Sequence, residues 1–174
     1  MYFSQIETEN VELLESLINY RFKNRQLALN AISLPVSRAD ITSRHFEGME
    51  FAGDRIYNMC AALHVFATSA IRSPHALDAS LQKRISNARQ VEIAKSIGLE
   101  NVLLMQRRSL PSHAAASHVK MLADVLEAVM TAVFIDTNCN FNAVYALYLE
   151  SMENVPTQLP MLQTPSSTQM EFAF

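Results

Sequence analysis

The sequence predicts an all-α fold, and three observations predict it. Apolar residues recur at helical spacing along most of the chain, so a buried face of period 3.6 can be followed through one segment after another. No stretch shows the strict alternation of a half-buried strand. With 49% apolar residues, only 3 Gly among 174 residues and no long apolar run, the chain can fill the core of one helical domain and offers no membrane span.

The periodicity places helices near 9–19, 24–34, 45–70, 76–97, 114–136 and 139–154. Ser73-Pro74 interrupts the long central region, and Gly98 stops the next helix after Lys95. Ser109-Leu110-Pro111-Ser112 opens a loop ahead of the fifth segment, and Asp136-Thr137-Asn138 separates it from the sixth. One domain is therefore expected over residues 9–150. Residues 151–174 turn to Pro, Thr, Gln and Ser, with prolines at 156, 160 and 165, which is the composition of a flexible tail. Met170, Phe172 and Phe174 break its polarity and offer either a docking point or, more simply, part of a disordered end.

Two otherwise apolar helices carry acidic side chains. At 3.6 residues per turn, Glu47, Glu50 and Asp54 fall within an arc of about 60°, with Asn58 continuing the stripe. Lys120, Asp124, Glu127 and Thr131 repeat this layout, again within about 60°, among Met121, Leu122, Val125, Leu126, Val129 and Met130. A single stripe of this kind ordinarily faces water. Two of them in the most apolar helices point elsewhere: if the helices pack together, the carboxylates converge, and their repulsion must be offset by protons or by a cation. Ligands that are all oxygen suit magnesium or manganese rather than zinc.

The run Glu47-Gly48-Met49-Glu50-Phe51-Ala52-Gly53-Asp54, followed by Lys120 and then Asp124-Val125-Leu126-Glu127-Ala128, resembles the paired signature of the ribonuclease III endonuclease domain. The likeness extends to Asn19-Tyr20-Arg21-Phe22-Lys23-Asn24 with Leu27 and Ala31, similar to the opening of that domain. Leu81-Gln82-Lys83-Arg84-Ile85-Ser86-Asn87 through Ile93-Ala94 and Ile97-Gly98-Leu99 is similar to its middle helix pair. Ala132-Val133-Phe134-Ile135-Asp136 is similar to the segment after its last catalytic Glu. All occur in the family's order between about residues 9 and 150.

The resemblance implies the helical, dimer-forming ribonuclease III fold and a Mg-dependent endoribonuclease acting on double-stranded RNA, with manganese able to substitute. Glu50, Asp54, Asp124 and Glu127 match the four metal-binding carboxylates, and Asp54, Glu127 and Lys120 would be catalytic. Lys120 matches a basic residue beside the scissile phosphate. Glu47 matches an acidic residue near the dimer contact, and Phe51 takes the place of an apolar side chain inserted into the partner subunit. A homodimer would cut both strands, leaving 5′-phosphates and short 3′ overhangs. Arg55 stands where a small residue is usual, Ala52 where Leu is common, and Asn87 at a position acidic in some members; none removes a metal ligand. On the helical wheel Arg55 points away from the acidic stripe, toward RNA or toward solvent.

Composition limits the partners. A net charge of −3 disfavours strong unaided nucleic-acid binding, because nonspecific affinity rests on Lys and Arg contacts to phosphates. The charge is uneven, however, and Lys83, Arg84 and Lys120, with Arg21, Lys23, Arg25, Arg89, Lys95, Arg107 and Arg108, offer local basic surfaces. No room remains after residue 150 for the double-stranded-RNA-binding domain common in bacterial members. A stand-alone nuclease domain is therefore expected, with weak, salt-sensitive RNA affinity or a separate RNA-binding protein partner. Cys60 and Cys139 form no metal motif and read as buried free thiols; His113 and His118 flank an alanine-rich run without zinc spacing. The N-terminus lacks a secretory pattern, so an intracellular, cytoplasmic protein is expected. Two other readings stay open: a member kept as a non-catalytic RNA-binding or structural subunit of a ribosomal or RNA-processing complex, and, with a poorer motif match, an all-α nucleotide pyrophosphatase.

Overall fold

The computed structural model describes residues 3–34, 41–105 and 114–152. Among them are α1 (Gln5–Leu17), α2 (Arg25–Ile32), α3 (Ile41–Thr68), α4 (Pro74–Arg84), α5 (Asn87–Ile97), α6 (Ala114–Asp136) and α7 (Phe141–Met152), with a 3-10 turn over Leu99–Asn101. The expected tail beyond residue 152, the loop at Ser109–Ser112 and the side chains of His113 and His118 lie outside the described residues.

Local chemistry sets the helix ends. The first helix begins earlier than its apolar pattern because Ser4 and Glu7 form a capping box: Glu7 Oε2 accepts from the Ser4 N–H at 2.7 Å, and Ser4 Oγ accepts from the Glu7 N–H at 3.3 Å. Ser73 caps α4 with Pro74 in its first turn, as the sequence suggests. The single helix expected over 76–97 is instead two, because Ser86 caps a new helix at Asn87. Tyr57 Oη holds the end of α4 by donating to the Arg84 carbonyl at 3.1 Å. Gly98 ends α5 in the left-handed conformation, φ 88°.

Two short strands escape the sequence pattern. β1 (Ser33–Leu34) and β2 (Leu104–Met105) pair in parallel, Ser33 opposite Leu104. Two residues are too few to show alternation.

α6 is the centre of the molecule, packed against α2, α3, α5 and α7. Every side chain from Val125 to Val133 is buried, Glu127 and Thr131 included. A helix that is apolar on all sides must be surrounded, and the remaining core residues, Leu14, Ile32, Tyr57, Leu99 and Tyr148 among them, supply the shell. Asp136 fixes its C-terminal end. An acid there opposes the helix dipole, but its carboxylate accepts from Tyr20 Oη at 2.7 Å and from the Lys23 and Asn24 N–H groups at 2.8 Å. These bonds tie the α1–α2 connection to α6. Beyond this point Asn138 and Cys139 take positive φ and reverse the chain.

One of the two thiols is buried as expected and the other is not. Cys60 is buried and its pKa is pushed up to about 12 by that burial, which makes it inert. Cys139 is exposed, because it sits in the reversal after α6 and not on a packed helix face.

Candidate metal centre

The crossing of α3 over α6 builds the site, and a glycine permits it. A Cβ at Gly53 would overlap the main-chain carbonyl of Glu127 and stand 2.9 Å from its Cα, so the two backbones touch where the acidic stripes meet. Further along, Thr131 Oγ1 donates to the Met49 carbonyl at 2.7 Å and pins the same pair of helices.

Three of the four expected carboxylates converge. Glu50, Asp124 and Glu127 each offer an oxygen, and these oxygens lie within 4.8 Å of one another. Glu127 is the deepest, at 7% exposure. Burial pushes its carboxyl up to about 7, against a hydrogen bond from Gln90 that favours the charged form; Asp54, Asp124 and Glu50 push it further up. Burial likewise raises Asp124, partly countered by Lys120. Lys120 stands at the rim: its Nζ lies 3.1 Å from both Asp124 oxygens and 3.6 Å from Glu50 Oε1. One ammonium does not balance three carboxylates. Crowded oxygen ligands with a surplus of negative charge suit a hard divalent cation, and the residues present fit magnesium or manganese.

Asp54, the fourth expected ligand, is close enough to act on Glu127 but is held by other partners. Its Oδ2 accepts from Arg55 Nη1 at 2.7 Å and its Oδ1 from Asn58 Nδ2 at 3.0 Å. Arg55 therefore does not point away from the stripe. Its long side chain folds back, donates to the Phe51 carbonyl at 3.1 Å and lies 4.1 Å over the Phe51 ring.

The other site residues occupy separate surfaces. Glu47 and Phe51 are on the outer face of α3, where Phe51 is 64% exposed. Lys83 and Arg84 form the last turn of α4. Gln90, which the sequence motifs do not single out, is buried in α5 and donates from Nε2 to Glu127 Oε1 at 2.8 Å. One signal was available: Gln90 shares the helical register of Ile93, Ala94 and Ile97, a polar residue on an apolar face.

Fold and site together define an all-helical domain with an oxygen-lined place for a divalent cation. Residues 47–138 match the ribonuclease III domain, more than half of the chain, and the protein belongs to that family. Ribonuclease 3-like protein 2 of Arabidopsis thaliana is 24% identical over 188 residues, covering 95% of this chain and 46% of that protein. Ribonuclease 3 of Fusobacterium nucleatum subsp. nucleatum is 28% identical over 142 residues, covering 80% of this chain and 60% of that protein. The chain thus spans about half the length of these curated relatives. A crystal structure of the nuclease domain of ribonuclease III from Campylobacter jejuni superposes with a TM-score of 0.65 at 23% identity, covering 86% of this chain and 98% of that one. A second structure of that domain, concerned with flexibility in its dimer-forming region, gives 0.68 at 22% identity over 83% of this chain and 96% of that one. The all-α expectation agrees with these folds. No helix among the described residues is long and apolar enough to cross a membrane.

Proposed function

We propose that the protein is a magnesium-dependent endoribonuclease of the ribonuclease III type, acting on double-stranded RNA as a homodimer. The observation that carries this reading is the convergence of Glu50, Asp124 and Glu127 within 4.8 Å, with Lys120 at their rim, in a chain of this family. These three carboxylates, with Asp54, would hold the metal. When bound, magnesium supplies an activated water and polarises the phosphodiester. Lys120, 61% exposed, meets the phosphate from the solvent side and offsets its charge. Hydrolysis then breaks the bond to the 3′ oxygen, leaving a 5′-phosphate and a 3′-hydroxyl. Lys83 and Arg84 are proposed to steer the RNA backbone. The exposed Phe51, with Glu47 one turn before it, is proposed as the contact between subunits, so that two sites would face the two strands and leave short 3′ overhangs.

One observation favours a second reading, the non-catalytic RNA-binding subunit: Asp54 is engaged by Arg55 and Asn58. Incubation of a long end-labelled duplex and its single-stranded counterpart with magnesium separates the two. The nuclease reading expects cuts in the duplex alone, with 5′-phosphate ends. Retention of intact duplex by a folded protein that cuts nothing would replace it with the subunit reading.

A further inference from the structure

Glutamine is an expensive residue for the place it fills on α5. Gln90 is 1% exposed, and its helical neighbours on that face, Ile93 and Ala94, belong to the core. Leucine or methionine would fill the same space without burying an amide. The amide oxygen, moreover, is buried with no hydrogen-bond partner among the described residues. Packing therefore gives no reason for an amide here. The other end of the group does: Nε2 donates to Glu127 Oε1 at 2.8 Å, in the interior, where a bond to a carboxylate is at its strongest.

We propose that Gln90 is a positioning residue of the metal centre, which fixes the Glu127 carboxylate against α5 so that it meets Glu50 and Asp124 in ligating geometry. This inference rests on the metal reading above. A glutamate side chain has three rotatable bonds, and the wall of α5 is what restrains their end. The Gln90 bond to Oε1 restrains the plane of the Glu127 carboxyl group, which would then be presented to the cation in a fixed orientation. Such outer partners tune metal affinity without touching the metal.

The test is Mn2+ binding to the purified protein, read by electron paramagnetic resonance of the free ion, beside thermal melting in EDTA. Q90M keeps the volume and removes the donor; Q90L is the second variant should the first not fold. Positioning expects Mn2+ affinity to fall about 10–100-fold in a variant that still melts cooperatively in EDTA. In duplex cleavage, the rate at saturating magnesium should be largely regained, with the half-saturating concentration moved up. Wild-type Mn2+ affinity in a folded Q90M or Q90L would overturn the inference and leave the metal centre standing. Failure of the wild type itself to bind Mn2+ would overturn the metal reading and the inference with it.

Discussion

Substituting Gly53 by alanine tests whether the contact between α3 and α6 is what assembles the site. In an exposed helix this change normally stabilises, by about 1 kcal/mol. Here the new methyl would occupy the space of the Glu127 carbonyl, and the obstacle is backbone, which no rotamer change can clear. The helices must separate, at a cost at or above the upper part of the roughly 1–3 kcal/mol typical of overpacking. The net loss should be about 2 kcal/mol or more, a fall in Tm of roughly 4–8 °C for a chain of this size. Function should suffer more than stability, because a shift of about 1 Å between α3 and α6 can cost on the order of 100-fold in rate. Gly48, on the same helix, has nothing within 4 Å of its hypothetical Cβ and serves as the control. Gly48→Ala should raise Tm by roughly 1–4 °C and leave metal binding unchanged. Melting curves and Mn2+ titrations of both variants decide the matter. A Gly53→Ala protein that melts and binds Mn2+ like its Gly48→Ala counterpart would refute the close-contact account.

Other consequences follow from individual groups. Asp136→Ala leaves Tyr20 Oη and the Lys23 and Asn24 N–H groups without their acceptor and should cost about 2–4 kcal/mol in urea unfolding, since water reaches part of the network. Burial pushes the Asp136 carboxyl up, but the bonds from Tyr20, Lys23 and Asn24 outweigh it and hold the pKa below 3.8. Its stabilisation is thus complete above that value and lost as pH falls through the folded pKa, an acid limb that Asp136→Ala should lack. Glu127 works in the opposite sense: with a folded pKa of about 7 against 4.5, its contribution to stability in EDTA is complete below 4.5 and lost as pH rises through 7. Metal binding near neutral pH should accordingly release protons and weaken on acidification, which calorimetry in buffers of different ionisation heat would detect and Glu127→Gln should abolish. Phe51→Ala should weaken the proposed dimer by at least about 2 kcal/mol, roughly 30-fold in Kd, by sedimentation equilibrium; an unchanged dimer would remove Phe51 from the interface.

Much of the site could be read in the sequence because helical geometry converts spacing into direction. Glu50 and Asp124-Glu127 interrupt apolar stripes, and an acid in such a stripe must find a partner. What spacing does not reveal is where a long side chain ends. Arg55 leaves its helix about 100° from its neighbour Asp54, yet its long, flexible side chain bends back to meet that carboxylate and the Phe51 carbonyl one turn earlier. Gln90 and Asp136 lie far in sequence from the groups they bind, so only the packing of α5 on α6 and of the α1–α2 connection on α6 brings them together. The split between α4 and α5 and the early start of α1 depend on Ser86 and Ser4, small polar residues whose capping role overrides the apolar pattern. The paired strands are too short for any periodicity, and Cys139 is exposed by a reversal that its own residue type does not signal.

Glu50, Asp124 and Glu127 are proposed to hold the divalent cation with which the protein would cut RNA. Cleavage of a labelled duplex across a magnesium titration, with wild type beside Glu50→Gln, Asp124→Asn and Glu127→Gln, tests it most directly. Cutting should require magnesium, stop with EDTA and be lost or sharply reduced in each folded variant. Undiminished cutting by Glu127→Gln, or by the wild type in EDTA, would contradict it.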